Sequence, residues 1–265
     1  MTAPVFVNSA TVRAPERLMR RGGRWQGLDL QVRYGLFLSE TAGPVLIDTG
    51  YTRHAVSAPG RSLGLRAYSL ALRPKLIPEG QAEAVLARFN LRPKDIRRVI
   101  VTHFHADHVS GLSLFPTARF MVSANGWISL QARSRLSNLR HGIFPELLPP
   151  DFADRVDLVE AAPVRPQGRD LLGDGSILAL PLPGHCDGHF GLIFPQLPRP
   201  LLYAVDAQWL LDALPIDRRP GYPSRLIAAD PGALDASTDL VQSFAQTGGV
   251  VLCHDPHPSP YDLAP

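Results

Sequence analysis

Apolar residues recur along this chain in two periods, and the switches between them outline most of its elements. Leu28 to Ser39 alternates apolar and polar positions as a half-buried strand does, and Pro44 to Ile47 predicts a second short strand ending in Asp48-Thr49-Gly50. Arg97 to Thr102 and Arg119 to Ser123 are short runs rich in apolar residues, the pattern of buried strands. Between them, Glu79 to Asn90 places Ala82, Val85, Leu86 and Phe89 on one face at helical spacing. Asn125 has the chemistry of a helix cap, which predicts a helix running to about Leu139. Tyr51 to Pro78 shows no clear period and is too long for a plain connection, so it is predicted as an irregular loop on the substrate side. In the second half, Ser176 to Leu182, Gly191 to Phe194, Leu201 to Val205 and Gly249 to Cys253 predict strands. Asp230 and Pro231 open a helix through about Gln246, with an aspartate cap and proline at the first position. Two batches of strands, each followed by helices, predict an α/β fold of two packed sheets with helices outside. No linker-like composition interrupts the chain, so residues 1–265 are expected to form one domain.

Composition narrows the class. The chain has 265 residues, 45% of them hydrophobic and 19% charged, which suits a globular protein with a substantial core. No window approaches the roughly 18 apolar residues that span a bilayer. The start, Met1 to Ala10, lacks the basic residues and apolar run of a secretory signal, which predicts a cytoplasmic protein. The formal charge of +3 comes with arginines in scattered pairs rather than one basic stripe, an arrangement that points away from nucleic acid. The two cysteines, Cys186 and Cys253, are expected to be reduced thiols packed behind their neighbouring histidines.

The chemistry concentrates in Thr102-His103-Phe104-His105-Ala106-Asp107-His108, directly after a predicted buried strand. Residues two apart at a strand end point the same way, so His103 and His105 can grip one ion together. Asp107 and His108 follow where the chain turns into a helix and can face a second ion. Imidazole and carboxylate are ligands that zinc accepts. His185, Asp206 and His254 each follow an apolar strand in the same way, which gathers them at one edge of the sandwich. His189 is the nearest other candidate, while His54, His141 and His257 are expected at the surface.

The HFHADH segment resembles the HxHxDH signature of the metallo-β-lactamase superfamily. The likeness extends from VLIDTG through PLPGHCDGH and AVDAQ to VLCHD, in that family's order. It implies an αββα sandwich of two mixed β-sheets flanked by helices. It also implies two Zn2+ per chain, for which iron or manganese can substitute. His103, His105 and His185 would hold one ion; Asp107, His108 and His254 the other; Asp206 would bridge them. Asp48 would orient a ligand histidine.

Two such ions bring the pKa of a shared water toward neutrality and polarise the bond under attack, with Asp107 placed to move the proton. The expected activity is hydrolysis of an ester, lactone or thioester in a small-molecule substrate, by a chain that binds neither nucleic acid nor membrane and is compatible with a homodimer. Within the family, the segment PKLIPEGQAEAVLARFNLRPKDIRRVIVTHFHADH is most similar to N-acyl homoserine lactonases. Those enzymes carry a tyrosine three residues after the bridging aspartate, where this chain has Trp209. An indole N–H donates a hydrogen bond but is no acid, so Trp209 predicts slow turnover of acyl lactones and a substrate with a less basic leaving group. Tyr222, in the following loop, is the other candidate for the proton-donor role. Two alternatives remain open from the sequence: a mononuclear iron enzyme resembling persulfide dioxygenases, and a ligand-binding member with little catalysis.

Overall fold

The computed structural model describes residues 3–264. Among them, the first sheet comprises β1 (Val5–Pro15), β2 (Gly27–Ser39), β3 (Gly43–Ile47), β4 (Lys75–Leu76), β5 (Arg98–Ile100), β6 (Arg119–Val122) and β7 (Val156–Leu158). Their spatial order is β4-β1-β2-β3-β5-β6-β7. The second comprises β8 (Val164–Arg165), β9 (Gly168–Asp170), β10 (Leu178–Pro181), β11 (Phe190–Phe194), β12 (Leu201–Val205) and β13 (Gly249–Leu252), in the order β13-β12-β11-β10-β9-β8. Both sheets are mixed. In the first, β3, β5, β6 and β7 run parallel to one another, and in the second β12 and β13 are parallel while the remaining neighbours are antiparallel.

Side-chain alternation explains why the strands of the second sheet read as continuous apolar runs. On β12, Leu201, Tyr203 and Val205 enter the core between the sheets, while Leu202 and Ala204 face outward into a second cluster. That outer cluster includes Val241 of a long helix, so both faces of the strand are buried. Across the inner core, the rings of Phe6 and Tyr203 lie 4.5 Å apart and those of Phe37 and Phe194 5.7 Å apart.

The helices among the described residues are α1 (Glu16–Met19), α2 (Arg53–Val56), α3 (Leu63–Leu72), α4 (Ala82–Arg88), α5 (Ala106–Val109), α6 (Ala124–Ala132), α7 (Arg135–Arg140) and α8 (Pro231–Phe244). Helix α8 starts as the sequence predicts: the Asp230 carboxylate accepts from Gly232 N at 2.9 Å and Ala233 N at 3.0 Å, satisfying two amides at the helix start. Among the described residues, no helix is long and apolar enough to cross a membrane.

Three expectations change. The helix predicted to run from Asn125 to about Leu139 is capped at Ser123 and is two helices; Ser134 restarts it by accepting from Ser137 N at 3.2 Å. The helix predicted over Glu79 to Asn90 begins only at Ala82, because Gly80 packs directly on the carbonyl of Asn8, an approach no larger residue allows. The stretch from Tyr51 to Pro78 is not irregular: it holds α2, α3 and β4.

Candidate metal centre

Strand ends from both sheets meet at one edge. Beyond β5 the chain extends through Thr102, buries His103, and turns at His105 into the single turn of α5, which carries Asp107 and His108 inward. Asp48, just past the parallel neighbour β3, anchors that turn. Its carboxylate accepts from Thr102 N at 2.8 Å and Thr102 Oγ1 at 2.7 Å, and lies 2.9 Å from Nδ1 of His108. His185 follows β10, Asp206 follows β12 and His254 follows β13. Val205 has a φ of 54°, a left-handed value that a β-branched residue rarely adopts, where the pairing of β12 with β13 slips. That turn aims Asp206 inward, so strain is stored next to the site.

All seven predicted ligands come together, in two groups. Nδ1 of His105 lies 3.1 Å from Nε2 of His103 and 3.0 Å from Nε2 of His185. In the other group, Asp107 Oδ2 lies 3.5 Å from Nε2 of His108 and 3.4 Å from Nε2 of His254. Asp206 stands between them, with Oδ2 3.1 Å from His254 Nε2 and 3.4 Å from His185 Nε2. The far ring nitrogens are occupied: His103 Nδ1 lies 3.2 Å from Thr102 Oγ1, and His254 Nδ1 donates to Gln31 O at 2.7 Å. Such partners fix ring orientation and turn the other ring nitrogen inward.

Two observations test whether this set suits metal ions. Nε2 of His108 and Oδ1 of Asp206 are buried without a hydrogen-bond partner, a costly state for polar atoms unless a cation takes them up. The charges also fit. Burial, reinforced by neighbouring imidazoles, pushes His103 and His185 well below the usual histidine range, and burial brings His105 to about 4, so all three are neutral, the form that ligates. Burial raises Asp107, but His108 and His254 outweigh it and hold the carboxyl at about 2. Burial also opposes charge on His108 and His254, yet the adjacent carboxylates lift both well above the usual range. Negative potential strong enough to draw protons onto buried imidazoles equally draws divalent cations. The residues therefore fit a pair of ions.

The remaining histidines separate by their surroundings. His189 is buried, but Nδ1 donates to Leu182 O at 2.7 Å and Nε2 accepts from Asp206 N at 3.2 Å, so neither nitrogen is available. It holds the backbone of Asp206 in place. His257 is exposed and bonded to Asp255, and His54 is half-buried on α2. His141, expected at the surface, instead lines the cavity over the two groups. Cys186 and Cys253 are buried free thiols, as expected; Cys253 lies close behind the second group with Sγ 3.3 Å from Arg33 O.

That cavity has a volume of about 330 Å³. Val12, Ala14, Met19, Leu30 and Ile227 give it apolar walls, and Trp209 stands beside Asp206. Tyr222 does not reach it: the residue is 77% exposed and is removed from the proton-donor role. The sequence reading missed Tyr51 and Tyr68, which line the same cavity with Asp107. A signal existed, since Leu65, Tyr68, Ser69 and Leu72 follow one another at helical spacing after a serine cap at Ser62.

Residues 29–197 match the metallo-beta-lactamase superfamily, and the chain belongs to it. It is 31% identical over 180 residues to a protein of Mycobacterium tuberculosis named as a probable metallo-hydrolase, a match covering 65% of this chain and 55% of that protein. The chain thus spans little more than half the length of that relative. With an N-acyl homoserine lactonase of Azorhizobium caulinodans it shares 24% identity over 241 residues, 87% of this chain and 84% of the relative. Among solved structures, it is similar to an N-acyl homoserine lactone hydrolase with N-hexanoyl-L-homoserine bound at its metal centre (TM-score 0.70, 20% identity, covering 95% of this chain and 92% of that one). It is also similar to a dizinc quorum-quenching lactonase in complex with a product (TM-score 0.67, 16% identity, 96% and 88%). At these identities the solved structures establish the shared αββα fold.

Proposed function

We propose that this protein is a dinuclear zinc-dependent hydrolase, one domain throughout, that cleaves an ester, lactone or thioester in a small molecule with an apolar part. The observation that carries the reading is the convergence of seven candidate ligand side chains, two of their atoms buried and unpartnered, beneath an apolar cavity that His105, Asp107, His185, Asp206 and His254 line. When bound, two divalent ions supply a water that ionises near neutral pH and a Lewis acid for the scissile carbonyl. The chain's residues do the rest. His103, His105 and His185 would hold one ion, Asp107, His108 and His254 the other, and Asp206 would be shared. Asp107, ionised and lining the cavity, accepts the proton of the attacking water and returns it to the leaving group. The apolar walls bind the acyl portion and exclude bulk water. The relatives named as N-acyl homoserine lactonases favour an acyl lactone among the ester-type substrates.

The test joins composition to turnover. Purified protein loaded with zinc is expected to retain about two ions per chain and to hydrolyse at least one class in a panel of lactones, thioesters and activated esters, with phosphodiesters inert. Retention of a single ion, with oxygen consumption on a persulfide substrate, would replace the hydrolase reading by the dioxygenase one.

A further inference from the structure

Helix α3 brings a phenol to the metal cavity. Ser69 Oγ donates to Ala55 O at 2.7 Å and pins the buried face of the helix, next to which Tyr68 projects. The Tyr68 ring packs on Phe144 with centroids 5.0 Å apart. Its oxygen lies over Gly142, where an added methyl group would sit 3.1 Å away. Gly142 is itself tied to the metal loop: Ala106 N donates to Gly142 O at 3.2 Å, and His105 pairs with Ile143. The hydroxyl is thus positioned by the same backbone that carries His105 and Asp107. Tyr51 lines the same cavity, with Asp107 among the other residues of its wall. Burial first, and then the charge of Asp107, pushes the Tyr68 phenol above its ordinary range, so it stays protonated.

In ester cleavage, bound ions would polarise the carbonyl oxygen, and Asp107 would take the proton of the water. The leaving oxygen is then the one atom whose developing charge lacks a partner. Building on the hydrolase reading, we infer that the Tyr68 hydroxyl donates a hydrogen bond to the leaving oxygen as its bond to carbon breaks. Water adds to the carbonyl carbon, the C–O bond breaks, and the proton held by Asp107 passes to the leaving oxygen, giving an acid and an alcohol. Tyr68 keeps its own proton throughout. A donor at this point makes basic leaving groups tolerable, which reverses the expectation that Trp209 restricts the enzyme to activated esters.

The experiment compares zinc-loaded wild type with Tyr68→Phe on hexanoate esters whose leaving groups run from p-nitrophenol to ethanol. The expected result is a kcat for ethyl hexanoate about a hundredfold lower, a p-nitrophenyl rate lowered less than about threefold, KM for each within about twofold, and unchanged zinc content. A uniform loss along the series, or none, overturns the inference. Should Tyr68→Phe lose zinc or fail to fold, the same series in Gly142→Ala, whose methyl displaces the hydroxyl, decides: a steeper dependence on the leaving group supports the inference and an unchanged one overturns it. If the wild type cleaves no ester, the hydrolase reading fails, and calorimetric titration of zinc-loaded protein with hexylphosphonate tests Tyr68 separately. Binding about tenfold weaker in Tyr68→Phe supports its donor role; equal affinity, or no binding to the wild type, overturns it.

Discussion

Asp206→Ala is expected to release both ions and to lower kcat/KM by about a thousandfold or more. Asp206 is the side chain that touches both groups, with one oxygen 3.1 Å from His254 and 3.4 Å from His185 and the other buried without a partner. If Asp206 bridges as proposed, alanine would remove a ligand from each ion at once and leave five imidazoles around a space with one fewer negative charge. The ions contribute several kcal/mol to stabilising the transition state, and each 1.36 kcal/mol is a factor of ten, so losing them costs at least about three decades. Asp206→Asn keeps the shape and loses only charge, and should fall between wild type and alanine. Zinc per chain after dialysis, read alongside kcat/KM, checks both. An alanine variant that keeps two ions and normal turnover would show that Asp206 does not bridge.

The candidate ligand set was legible in the sequence because His103, His105, His185, Asp206 and His254 follow apolar strands within a few residues, while Asp107 and His108 come in the turn just beyond His105. His103 and His105 share a face by the two-residue repeat, and His185, Asp206 and His254 follow runs that are apolar on both faces. His189, which stands before a strand rather than after one, is by pattern only the nearest other candidate. What distinguishes it is a pair of backbone partners, Leu182 O and Asp206 N, visible only once the strands are assembled.

The walls of the cavity were less legible, for a different reason. Helix α3 buries Leu65 and Ser69, but Leu63 is 80% exposed and Leu70 71% exposed, so leucines stand on its solvent side and blur the apolar face. Strand β1 escaped notice because its register with β2 slips between Asn8 and Thr11, breaking the two-residue alternation. Val12, Ala14 and Tyr68 come from these two elements, so the substrate side of the site was hidden while the metal side was plain. Tyr222 is close to Asp206 in sequence but is 77% exposed and outside the residues that line the cavity.

Metal removal should lower the melting temperature by at least about 10 °C. Asp48, Asp107 and Asp206 are buried together, and the backbone beside two of them is strained: Asp48 has a φ of 58° and Val205 of 54°. Each such conformation costs about 1–3 kcal/mol and persists only where its surroundings hold it. An ion bound by the folded chain alone adds about 4 kcal/mol when present at a thousand times its dissociation constant. For a chain of this size, each kcal/mol is worth about 2–4 °C, so loss of one tightly held ion alone shifts the transition by roughly 8–16 °C. Loss of both removes opposite charge from the three carboxylates, leaving protonated His108 and His254 to balance them. The metal-free protein should therefore be most compromised at alkaline pH. Both imidazoles have a folded pKa above the unfolded one, so the stability they contribute is fully present below the unfolded value and disappears as pH rises through the folded one. Circular dichroism melts with and without a chelator, at neutral and alkaline pH and with zinc added back, give the readout. A shift below about 2 °C, with elemental analysis confirming that the metal is gone, would mean that the fold holds these carboxylates together without cations.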